Sequence, residues 1–267
     1  MREQSVREQI LDRLWCAHKR SPRVVRKTLR PFRDIIAAYY NRLHFNRIVV
    51  QMEAQINKDA QSHRGQKIFV DCGFNAGEML ERFVKALPDF RFYGFEVNRQ
   101  YFAGTAAELQ KRHPNIIGLN FSAVSDHDGT ASFHIAGQKS GIMRAEATTI
   151  LPDLQLAGRV IQDDFIQETP YEVPAIDFSR WLKEMVAQHT EADRSKPFIV
   201  VKMDIEGAEY AVLEELVNDG TIALVNDLMV EFHTHQFDQK QRPRYARREA
   251  EIREKLSRFP VQILRWG

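Results

Sequence analysis

Apolar residues in this 267-residue chain follow two patterns, and the change between them falls near Gly65. Before it, Val6, Ile10, Leu14 and Ala17 recur at helical spacing with Leu11 and Trp15 beside them, and Arg and Glu fill the other positions. Pro22 and Pro31 divide this stretch into at least three pieces, because a proline in a helix interior removes a hydrogen bond and clashes with the preceding turn. Asp34 to Asn57 continues as a further helix or helix pair.

After Gly65 short apolar runs alternate with helical stretches. Ile68-Phe69-Val70 leads into Asp71-Cys72 and a glycine-bearing turn, then a helix with Met79, Leu80, Phe83, Val84 and Leu87 on one face, stopped by Pro88. Phe92 to Phe95 predicts a second strand, Arg99 to Arg112 a helix ended by Pro114, and Ile116 to Leu119 a third strand. Asp128-Gly129, between Ala123-Val124 and Ala131-Ser132-Phe133, predicts a β-hairpin. Asp177 to Val186 is a helix, Phe198 to Val201 the strongest strand, Ala208 to Val217 a helix and Leu228 to Val230 a buried strand. A charged helix from Arg244 to Arg258 and a last apolar run, Val261 to Leu264, complete the body. Strands alternating with helices predict an α/β fold with a mostly parallel sheet flanked by helices, preceded by a helical extension.

Charge sharpens the division. Residues 1–50 hold 12 basic and 4 acidic residues, a net of +8, whereas the chain as a whole carries +2. The expected organisation is therefore a basic helical leader, residues 1–60, and an acidic body, residues 61–267. The leader reads as a solvated cap on the sheet, with peripheral contact to anionic lipid as the next reading; nucleic-acid binding is disfavoured by the lack of interleaved aromatics. At 43% apolar and 28% charged residues the chain is no disordered polymer, and no apolar run reaches the length of a membrane helix. The first residues run directly into charge, unlike a secretory signal. Cys16 and Cys72 are the only cysteines and lie far apart, which excludes a disulfide framework and fits a reducing cytoplasm.

Candidate chemistry collects where the predicted strands end. Asp71, Glu96, Asp204 and Glu231 each follow an apolar run, and open α/β sheets bind ligands at the carboxyl ends of their strands. The turn Asp71-Cys72-Gly73-Phe74-Asn75-Ala76-Gly77 lets backbone approach a ligand closely. A dinucleotide fingerprint beginning at Gly73 would need glycines where Asn75 and Glu78 stand, and a glutamate at the helix start would repel a pyrophosphate. A nucleoside without phosphates, such as S-adenosylmethionine, fits better, with Glu96 placed to accept two ribose hydroxyls.

These residues resemble a known family. Phe69 to Gly77, Gly94-Phe95-Glu96-Val97-Asn98, Ala123-Val124-Ser125-Asp126, Lys202-Met203-Asp204-Ile205-Glu206-Gly207-Ala208-Glu209 and Glu231-Phe232-His233 are similar, in order, to the FkbM-type methyltransferases. The resemblance covers about residues 66–235, with Lys-x-Asp-x-Glu-Gly-x-Glu as its most specific block. It implies a class I, Rossmann-like methyltransferase fold that binds S-adenosylmethionine and methylates hydroxyls of sugars or natural products. It further implies Asp71, Gly73, Asn75 and Gly77 along the methionine and ribose side, Glu96 on the ribose, Ser122-Ala123 near adenine and Asp204 beside the reacting methyl. That fold usually finishes with an antiparallel strand pair, whereas this sequence offers one candidate strand at its end.

A hydroxyl acceptor needs a base, for which Asp204 is the first candidate and His233 the second; a helix cap and a solvated loop residue are their structural alternatives. Asp204, Glu206, Glu231, His233 and His235 are of types that bind a divalent metal, but no dedicated spacing such as His-Glu-x-x-His occurs, and no metal is assigned. Lys202 reads as an ion-pair partner and Glu209 as an ordinary helix carboxylate. Ala136 to Asp164 reads as a lid over an acceptor pocket, hinged at Gly137, Gly141 and Gly158. Two other functions stay open. One is an N-methyltransferase for nucleic acid or protein, against which stands Asp204-Ile205-Glu206-Gly207 in place of an Asn/Asp-Pro-Pro-aromatic block. The other is a non-catalytic adaptor on the same fold.

Overall fold

The computed structural model describes residues 30–138, 143–149, 165–167, 171–237 and 239–266, with backbone alone at 30–44, 134–138, 143–149, 165–167 and 265. The chain divides into two units between Ala54 and Gln55. Helix α1, Arg30–Ala60, crosses that division. It begins at Arg30, so Pro31 falls in the first turn, where its missing N–H has no helical partner to lose; the leader pieces expected before Pro31 lie outside the described residues. The earlier leader positions, Val6 to Pro22, lie outside the described residues.

The second unit is built on a six-stranded sheet in the order β11-β10-β9-β1-β2-β3. Its strands are β1 (Lys67–Cys72), β2 (Phe90–Phe95), β3 (Ile116–Asn120), β9 (Phe198–Met203), β10 (Asp227–Val230) and β11 (Gln262–Arg265), and all five pairings are parallel. Parallel strands covered on both faces carry near-continuous apolar sequence, and every residue of β9 and β10 is buried. One face packs Ile68, Val70, Ile199, Val201 and Leu228 against Phe178, Leu182, Tyr210 and Leu213. On the alternate positions Phe69 stacks near Phe83 and Phe92, with ring centroids 4.8 and 5.4 Å away. The last strand, β11, pairs in parallel with β10, so no antiparallel strand stands between them among the described residues.

The helices are α2 (Glu78–Ala86), α3 (Arg99–Arg112), α4 (Phe178–Asp193), α5 (Glu209–Asn218) and α6 (Arg242–Leu256), and three of them begin on recognisable signals. Asn98 and Asp177 accept the Tyr101 and Arg180 backbone N–H groups, and a proline sits in the first turn of α6. Among the described residues no helix is long and apolar enough to cross a membrane.

A second sheet has the order β4-β8-β5-β6, from β4 (Ala123–Ser125), β5 (Gly129–Gln138), β6 (Met143–Thr149) and β8 (Tyr171–Asp177), with β7 (Phe165–Gln167) on β5. This corrects the expected hairpin. β4 and β5 flank Asp128-Gly129 but do not pair; β8 lies between them, parallel to β4 and antiparallel to β5. The Asp128 carboxylate is committed elsewhere, accepting the Asp177 N–H at 3.1 Å and the Arg180 guanidinium at 2.6 and 2.9 Å. The expected lid is corrected in part: Ala136–Gln138 and Met143–Thr149 are strand. Residues 139–142 and 150–164 lie outside the described residues.

Candidate active site

The parallel register places Asp71, on β1, directly beside Lys202, on β9. Both are buried, and the Lys202 ammonium donates to Asp71 Oδ1 at 3.0 Å and to the Gly73 carbonyl at 3.3 Å. Asp204 Oδ2 lies 3.6 Å from the same ammonium, and the Trp266 ring lies 5.2 Å from it. Burial pushes the Asp71 carboxyl up against the pull of Lys202. It also disfavours charge on Lys202, but Asp71 and Asp204 outweigh it and hold the ammonium above its ordinary value. Asp71 Oδ2 finds no hydrogen-bond donor among the described residues.

The turn after β1 folds onto its neighbours. Gly73 has φ +85°, and a Cβ there would lie 2.0 Å from the Asp204 carbonyl oxygen, so only glycine lets the turns after β1 and β9 meet. Glu96, buried at the end of β2, accepts the Asn75 N–H through Oε2 and the Asn98 N–H through Oε1, both at 2.9 Å. Burial raises the Glu96 carboxyl, and those N–H groups oppose the rise. The Glu96 N–H donates to the Asn120 carbonyl, which brings the buried Ser122 and Ala123 next along the chain. Asp71, Gly73, Asn75 and Glu96 are thus one hydrogen-bonded unit with Lys202, while Gly77 opens α2 at φ +79°.

Asp204 is no helix cap: α5 begins at Glu209 with Ala208 before it, and the Asp204 N–H donates to the Cys72 carbonyl. Nor is His233 a solvated loop residue, being 2% exposed. Its Nδ1 stands 3.1 Å from Glu209 Oε1, which also accepts the His233 backbone N–H, and Glu209 Oε2 accepts the Gly207 N–H. On the other side of the ring Nε2 lies 3.4 Å from Glu206 Oε2 and 3.6 Å from Asp204 Oδ1. Burial disfavours the imidazolium, but Glu209, Glu206 and Asp204 overcome it and raise His233 to about 9. Burial lifts Glu206 to about 7 against the attraction of His233. Of the five candidate metal ligands, Asp204, Glu206 and His233 converge, whereas Glu231 and His235 are not part of that group.

Glu209 was read as an ordinary helix carboxylate, yet it is fully buried and holds His233. The available signal was its place at the end of the Lys-x-Asp-x-Glu-Gly-x-Glu block.

The family model of the methyltransferase FkbM domain matches residues 71–259, from the end of β1 to just beyond α6. The chain belongs to the FkbM methyltransferase family. No curated protein and no solved structure matches it. The matched span of the FkbM domain contains all the candidate residues: Asp71, Gly73, Asn75, Gly77, Glu96, Ser122, Ala123, Asp204 and His233.

The features around β1 and β2 fit S-adenosylmethionine. Gly73 keeps side-chain atoms away from the turn, Asp71 Oδ2 has acceptor capacity left for an amino donor, and the two Glu96 oxygens, which take the N–H groups of Asn75, Asn98 and Val97, retain acceptor capacity for a hydroxyl.

Proposed function

We propose that this FkbM domain is an S-adenosylmethionine-dependent O-methyltransferase acting on a hydroxyl of a sugar, glycan or natural product. The observation that carries the reading is the contact between the turns after β1 and β9, which joins the Gly73 and Glu96 unit to Asp204. Asp71, Gly73, Asn75 and Gly77 would hold the methionine and ribose side, Glu96 the ribose, and Ser122 and Ala123 the adenine side. The cofactor supplies a methyl on a sulfonium, and transfer to an aligned acceptor gains most of its rate from positioning.

The residues of this chain then have three tasks. Lys202 fixes Asp71 and the Gly73 carbonyl, so the cofactor turn is preformed. Asp204, with its side chain 26% exposed, is the member of the charged group that reaches an acceptor hydroxyl and receives its hydrogen bond. His233, carried by Glu209, stands behind Asp204 and balances its charge as the hydroxyl proton enters the group.

Calorimetry of the purified chain with S-adenosylmethionine should show one saturable site, and Glu96→Ala should weaken it by at least tenfold. No binding by the wild type would overturn the reading. Radiolabelled methyl incorporation should then appear in carbohydrate or small-molecule fractions; label in nucleic acid or protein instead would move the acceptor to an N-methyltransferase class.

A further inference from the structure

Asp204 and Glu206 follow β9, and His233 follows β10, yet one ligand-type atom from each enters a common space, all within 4.8 Å of one another. Two observations bear on what belongs there. The first is distance. A good N–H···O hydrogen bond spans about 2.7–3.2 Å, and His233 Nε2 is 3.4 Å from Glu206 and 3.6 Å from Asp204, too far for a proton on Nε2 to bridge either well. Two atoms bound to one ion at about 2.1 Å and a tetrahedral angle lie about 3.4 Å apart. The observed spacing matches the second case.

The second is the way the ring is held. His233 is buried, and its Nδ1 faces the carboxylate of Glu209, itself wholly buried and anchored by the Gly207 and His233 N–H groups. A carboxylate behind an imidazole keeps hydrogen on Nδ1 and turns the Nε2 lone pair outward, which is the outer support of a metal-binding histidine. Here Nε2 faces two carboxylates on another loop, and an ion entering between them would displace the proton that Nε2 carries in the metal-free chain.

We infer that Asp204, Glu206 and His233 bind a divalent transition-metal cation of the Mn²⁺ or Zn²⁺ class. Imidazole with two carboxylates suits these ions over Mg²⁺ and Ca²⁺, which favour oxygen alone. The Asp204 and Glu206 side chains, 26% and 24% exposed, have room to close on an ion, and Lys202 engages the other Asp204 oxygen. Three protein ligands leave open positions for water or an acceptor oxygen. Only the occupant of those positions rests on the proposed methyl transfer; cation binding is measured without it.

The test uses full-length protein stripped with a chelator and titrated with MnCl₂ under electron paramagnetic resonance. The free-ion signal should be lost to one equivalent per chain, with Zn²⁺ competing for the site. Asp204→Asn and Glu206→Gln, near-isosteric changes, should each weaken binding by more than tenfold. Glu209→Gln should weaken it by about 10- to 100-fold through the ring's support. Glu81→Gln, remote from the site, should leave it unchanged. Pulsed measurements on the wild-type complex should also show coupling to one imidazole nitrogen, a reading that requires no variant to fold. No saturable binding, unchanged affinity in folded Asp204→Asn and Glu206→Gln, or no nitrogen coupling would overturn the inference.

Discussion

Strand β10 begins on the buried Asp227 and leads at its other end through Glu231 to His233, so one strand carries acid into the interior at one end and into the candidate site at the other. The two ends treat that acid differently. Asp227 is 1% exposed, its Oδ2 has no hydrogen-bond partner among the described residues, and the charge acting on it is another acid, Asp59. Burial and Asp59 together raise it to about 7. At the far end every fully buried carboxylate meets a cation or N–H groups: Asp71 has Lys202, and Glu209 has His233 and two backbone donors. Desolvation opposes ionisation at both ends, and the counter-charge decides whether a carboxylate stays ionised near neutral pH. The fully buried carboxylates of the site end face a cation or N–H donors whereas Asp227 faces another acid, and the partly exposed Glu206 rises to about 7 even beside His233.

The largest effect is expected from removing the cation at the site end. Lys202→Met leaves Asp71 buried without its partner and should cost about 3–5 kcal/mol in urea unfolding. Adding Asp71→Asn should recover part of that loss. A cost below about 1 kcal/mol would make the site end no better balanced than Asp227, and the contrast would collapse.

Gly73→Ala comes next, because the new Cβ meets backbone rather than a movable side chain. Left-handed strain and the clash with the Asp204 carbonyl should together cost about 2–4 kcal/mol. Gly220→Ala is the control, with φ +77° and no atom within 4 Å of the added carbon, so strain alone should cost about 1 kcal/mol. Equal melting temperatures for the two variants would show that the turns after β1 and β9 can separate freely.

The smallest effect belongs to Asp227. Its folded-state value, about 7, lies above the unfolded value of about 3.9, so the folded chain holds a proton that the unfolded chain releases. Its contribution to stability is complete below about pH 4 and is lost as pH rises through about 7. Asp227→Asn should remove that decline and, at pH 8, exceed the wild type by about 1–2 kcal/mol. Melting temperature measured from pH 5 to 8 checks it, and parallel profiles for the two proteins would acquit Asp227.

The alternation of buried runs and amphipathic helices was legible because parallel strands, covered on both faces, have few polar positions to confuse the reading: Phe198 to Val201 and Leu228 to Val230 are wholly apolar. Strand ends were legible for the same reason, since the first polar residue after such a run marks the edge of the sheet. Asp128-Gly129 misled because a turn dipeptide reports local geometry, while the partner of both flanking strands is Tyr171–Asp177. Glu209 was missed because its partner, His233, comes from a loop after a different strand, and neither residue alone shows that the other will be buried against it. Lys202 was read as an ion-pair partner, but only the register of β1 on β9 identifies Asp71 as the acid it meets.

The insertion of β8 between β4 and β5 also sets a clock. Among the described residues β4 pairs with β8 alone, and the paired positions are roughly fifty residues apart in sequence. A ribosome adding about 5–20 residues each second delivers β8 roughly 3–10 s after β4 has emerged. During that interval β5 can already pair with β6, while the short β4 edge, with Ser122 and Ala123 at its start, stays unpaired. That wall of the site therefore closes after β5 and β6 can pair but before β1 meets β9, whose paired positions lie about 130 residues apart, so the site of a newly made chain is assembled from its Ser122 side towards Asp204.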